Sequence, residues 1–119
     1  MKMHRLYVGH TDQHGMLTFK RDAVHDEIVI SMKHHGFDAA TLTDSVGIWK
    51  GKPEATTVVG IAIDEISLQR LERMASDIAY VLDQECIMLE NPEGKVHFVG
   101  PYNRQDPAPV VDSSGKDVS

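Results

Sequence analysis

The chain has 119 residues, 41% of them hydrophobic and 25% charged, which suits one hydrophobic core and excludes disordered, collagen-like and membrane-spanning classes. Its 18 acidic and 12 basic residues leave a formal charge of −6, a field that repels phosphate backbones, so nucleic acid is not an expected partner and a cationic small molecule is favoured. A single cysteine rules out an internal disulfide, and the polar N-terminal stretch has neither a secretory leader nor a spanning segment, so a cytoplasmic protein without a membrane partner is expected.

Residues 4 to 9 alternate apolar Leu6 and Val8 with Arg5 and Tyr7, the period of a strand with one buried face, ending at Gly9. Residues 18 to 35 place Val24, Ile28 and Met32 at helical spacing, with Thr18 as the expected N-cap and Gly36 as the stop. Two stretches rich in Val, Ile and Thr, 39 to 49 and 55 to 63, flank a turn-forming segment and predict an antiparallel hairpin. From Ser67 to Asp83 the stripe Leu68, Leu71, Met74, Ala75, Ile78 and Leu82 predicts a second helix. A strand at 85 to 90, a turn at Asn91-Pro92-Glu93-Gly94 and a strand at 95 to 99 follow. From Pro101 to the end the composition predicts a disordered tail, which leaves residues 1 to 100 as the single domain.

This order is β-α-β-β-α-β with an extra strand, the pattern of a ferredoxin-like α+β fold in which two helices cover one face of an antiparallel sheet. Thr41, Thr43, Thr57, Val59 and Ile61 suggest that the other face or an edge is not fully solvated, so a second copy is expected to cover it.

Walker, Gly-x-Gly-x-x-Gly, Gly-x-Ser-x-Gly and Cys-x-x-Cys motifs are absent from the sequence. Cys86 stands in the apolar run Cys86-Ile87-Met88-Leu89 and reads as a small hydrophobe with a raised thiol pKa. The histidines do not predict a metal centre: His10 and His14 straddle a loop, and His34 and His35 are expected on different faces of a helix end. The central hairpin stands out. Gly47-Ile48-Trp49-Lys50-Gly51 followed by Glu54-Ala55-Thr56 puts the only tryptophan and a carboxylate on either side of a tight turn. An aromatic plane beside an anion suits a ligand with a cation and a flat ring; alternatively, Trp49 anchors the hairpin and Glu54 is a solvated turn residue.

This segment resembles the phage S-adenosylmethionine lyases, and the likeness covers most of residues 4 to 99. It rests on Thr43-Asp44 leading to Gly47, the aromatic Trp49, Glu54-Ala55-Thr56-Thr57-Val58, and Gln84-Glu85-Cys86-Ile87-Met88-Leu89. The family has Tyr at the aromatic position and a longer hairpin loop before the Glu. Tyr7-x-Gly9 with Gly-x-Trp-x-Gly and Glu-x-Thr is also similar to related small PII-like domains of unassigned function.

The resemblance implies a PII-like homotrimer with sites between subunits. It also implies cleavage of S-adenosylmethionine, a cationic, adenosine-containing substrate, to methylthioadenosine and homoserine lactone, as a phage defence against host restriction. Glu54 would be the catalytic residue, with Trp49, Gly47, Gly51 and Thr56 binding substrate and with no cofactor or metal. The alternatives are a non-catalytic oligomeric module that binds or sequesters a small nucleotide-like ligand, and a structural interaction domain.

Overall fold

The computed structural model describes residues 1–101, and the expected tail from 102 onward lies outside the described residues. The elements run β1 (Lys2–Gly9), α1 (Arg21–His34), β2 (Thr41–Trp49), β3 (Lys52–Ile63), a 3-10 turn (Glu65–Ser67), α2 (Leu68–Val81), β4 (Ile87–Glu90) and β5 (Val96–Val99). The strands form one sheet in the order β2-β3-β1-β4-β5, every neighbouring pair antiparallel. This is the ferredoxin-like α+β arrangement, with β5 added at the edge beside β4.

Strand alternation decides which side chains are buried. Leu6 and Val8 of β1, Val59, Ile61 and Ile63 of β3, and Ile87 and Leu89 of β4 are buried in one core with Val24, Ile28 and Met32 of α1 and Leu71, Met74 and Ile78 of α2. The same alternation corrects the sequence reading of the second face. Thr57, Val59 and Ile61 belong to the buried face, and their neighbours Thr56, Val58 and Gly60 lie on the other. That other face carries no helix, and it exposes Met3, Arg5, Thr41, Thr43 and Phe98.

Helix α1 starts later than its periodicity predicts. Thr18 is drawn into an isolated bridge with Thr11, so Lys20 takes the N-cap position without a side-chain cap. Both helices end in the same double hydrogen bond. In α1, Phe37 N donates to Met32 O and Gly36 N to Lys33 O, with Gly36 at φ +79° as the sequence predicts for a stop. In α2, Gln84 N donates to Ala79 O and Asp83 N to Tyr80 O, but the left-handed residue is Asp83, at φ +50°. A non-glycine residue there is held by its contacts: Gln13 donates to Asp83 from both its backbone N and its side-chain Nε2.

Candidate functional site

The β2–β3 hairpin is longer than the strand beside it. Pairing of β1 with β3 stops at Gly9 opposite Thr56, while β2 and β3 remain paired to Trp49 opposite Lys52. The overhang closes on a two-residue turn, Lys50 at φ +50° and Gly51 at φ +77°, the conformation that matches strand twist in a tight hairpin. It leans over the uncovered face: the Trp49 ring lies 6.2 Å from that of Phe98 on β5, and Lys50 Nζ lies 3.1 Å from Glu85 Oε2 in the α2–β4 connection. Beneath the overhang is a cleft of about 750 Å³, bounded on its remaining side by the loop after β1 and by Met88.

Glu54 enters this cleft half-buried. Directly opposite it on β2 is Gly47, and diagonally opposite on β1 is Gly9. The second glycine is what makes room: a Cβ at residue 9 would stand 2.8 Å from Glu54 Cδ and 2.9 Å from Gln84 Oε1. A Cβ on Gly47 would meet Thr56 Oγ1 at 2.9 Å, and Thr56 itself is fixed by donating from that oxygen to Glu54 O at 3.1 Å. Thr11 N donates to Glu54 Oε2 at 3.2 Å, and Gln84, buried, donates through Nε2 to Thr11 O. Burial pushes the Glu54 carboxyl above the usual glutamate range, only partly offset by the Thr11 hydrogen bond. Among the described residues no basic side chain forms an ion pair with it.

Four of the five residues singled out from the sequence, Glu54, Trp49, Gly47 and Thr56, line one cleft. Gly51 does not line it; it occupies the turn, where a Cβ would meet open space but the backbone sits in the left-handed region. The hairpin alone could not announce Gly9, Thr11, Gln84 and Phe98, because they reach the cleft from three other segments. Cys86 is half-buried at the rim, its thiol pushed up by burial and by Glu85, as an unreactive cysteine should be. His10 is buried with Nε2 2.8 Å from Thr57 Oγ1, and burial lowers its pKa, so it reads as a neutral anchor for the loop. His34 and His35 depart from expectation, since their rings lie together, 5.0 Å apart.

No family model matches the chain, and no curated protein does. Solved structures do. A phage SAM lyase in its apo state matches 82% of this chain and 87% of its own, with a TM-score of 0.67 and 16% identity. A phage SAM lyase in complex with S-methyl-5′-thioadenosine matches 82% of this chain and 88% of its own, with a TM-score of 0.64 and 17% identity. At that identity the likeness establishes a shared fold.

Proposed function

We propose that the chain is a lyase that cleaves S-adenosylmethionine to methylthioadenosine and homoserine lactone. The observation that carries this reading is Glu54: a half-buried carboxylate with no basic partner among the described residues, under an aromatic-lined overhang. Such a group calls for a cation from the ligand. The shared fold with a lyase solved in complex with S-methyl-5′-thioadenosine supports an adenosine-containing one.

In the proposed reaction a substrate carboxylate oxygen attacks the substrate's own γ-carbon. The carbon–sulfur bond breaks, and its electron pair goes to sulfur. The products are a neutral thioether and a lactone, with no water, protein nucleophile, cofactor or net proton transfer. Holding the flexible chain in its attack geometry can supply roughly 7 to 11 kcal/mol. The reacting carboxylate and sulfonium lose their charges together, so an anion placed on the sulfonium would stabilise the ground state more than the transition state. Glu54 is therefore assigned to the ammonium, whose charge persists. Trp49, Phe98 and Met88 surround the sulfonium and adenine with apolar surface, which favours charge cancellation. Gly47 and Thr56 shape the floor, and Gly51 contributes only the turn.

We further propose a homotrimer acting in the host cytoplasm, where depletion of the methyl donor would counter restriction. Val46 and Ile48, 69% and 67% exposed on the overhang, offer apolar surface to a neighbouring copy. Among the described residues no helix is long and apolar enough to cross a membrane. The test is incubation with S-adenosylmethionine and chromatography: equimolar methylthioadenosine and homoserine lactone support the lyase. Retention of substrate without turnover would replace it with the binding module.

A further inference from the structure

On the helix layer, away from the cleft, the end of α1 meets α2 through three metal-ligating side chains. His34 is the last residue of α1 and His35 is its cap, where φ −98° and ψ 7° depart from the helix. That departure overturns the expectation that consecutive histidines diverge: their rings meet edge to face at 82°. Asp77, in the body of α2 and 1% exposed, places Oδ2 2.8 Å from His35 Nε2. One donor atom from each of the three lies within 4.8 Å of the other two.

The geometry points to a binding site for a divalent transition-metal ion of the zinc class, held by His34, His35 and Asp77 with water completing the coordination. Two imidazoles and one carboxylate are a donor set that such ions prefer over calcium or magnesium, which favour oxygen alone. Bonds of about 2.0–2.1 Å require donors closer together than 4.8 Å. The closing movement falls to His34, whose side chain is exposed and can turn without disturbing the core. Two fields favour a cation at this place. The carbonyl end of α1 carries the negative pole of its dipole, and the chain as a whole is at −6. A bound ion would tie the end of α1 to the middle of α2.

The experiment uses the full chain without an affinity tag, stripped with chelator and titrated with Co²⁺ while its visible absorption is followed, then with Zn²⁺ in competition. One saturable equivalent per chain is expected, displaced by Zn²⁺, with a rise in Tm on metal addition. His34→Ala should weaken binding about tenfold or more while leaving the metal-free Tm unchanged, because the residue is exposed. Glu54→Gln should bind Co²⁺ as the unaltered chain does, so this site stands or falls separately from the proposed reaction. Binding by His34→Ala as tight as by the unaltered chain, or no saturable absorption change up to millimolar Co²⁺, overturns the assignment.

Discussion

Burial disfavours the ionised form of Glu54, and the hydrogen bond from Thr11 N offsets this only in part. Burial raises its folded-state pKa, so the carboxyl's contribution to stability is present below the unfolded-state pKa and lost as pH rises through the folded one. Above that folded-state pKa the buried carboxylate costs stability, and Glu54→Gln should raise the Tm slightly there. In a turnover assay the same substitution should lower kcat/KM about ten- to a hundredfold, from a charge-assisted contact worth roughly 1.5 to 3 kcal/mol. The acid limb of kcat/KM should lie above the ordinary glutamate range and vanish in Glu54→Gln, as a pH series would show. A solvated turn residue would give neither result. Gly9→Ala is the complementary change, since its backbone does not need glycine's freedom but its Cβ would collide with the side-chain ends of Glu54 and Gln84. Those ends can move, so the fold should survive by circular dichroism while turnover falls on the order of a hundredfold. Glu54 and Trp49 could be singled out in the sequence because one hairpin carries both. Gln84 was legible only as part of the stretch leading into β4 and could not be placed at the cleft, because its position depends on the left-handed Asp83 that turns the chain after α2.

Among the elements, the overhanging hairpin would carry two separable roles in the proposed lyase. Its tip is a matter of backbone: Gly51→Ala places a Cβ in the left-handed region and should cost about 1 kcal/mol in a denaturant titration. Because Gly51 does not line the cleft, KM should not change with it. Trp49 has a different effect. Trp49→Phe keeps a ring opposite Phe98, whereas Trp49→Ala removes an aromatic pair worth about 0.5–1.5 kcal/mol beyond its area and should raise KM more than the Phe variant does. The amphipathic stripe of α2 and the alternation of β1 were legible because a single face is buried in each. The start of α1 was not legible. Thr18 has the chemistry of an N-cap, but the Thr11–Thr18 bridge claims its backbone, and a pairing across a loop leaves no periodic mark. The β-branched run Ile28-Val29-Ile30 stays helical because Ile28 is fully buried against the sheet, and tertiary packing outweighs propensity.

Over the whole molecule, the proposed trimer predicts a light-scattering mass near three chains at micromolar concentration, retained by Glu54→Gln. A monomer would leave the cleft bounded by one chain. Sequence order also bears on how the sheet comes together. The central strand β1 is made first, yet its partners β3 and β4 follow much later in the chain, so neither of its ladders can form until the segments between have been synthesised. Leu6 and Val8, fully buried at the end, must wait without a sheet. Folding is then limited by closing long loops rather than by the helices, which places it toward the slower part of the range for small α/β domains. A nascent chain halted before β4 lacks one of the two neighbours of β1, and full protease resistance should arise only after β4 has left the ribosome.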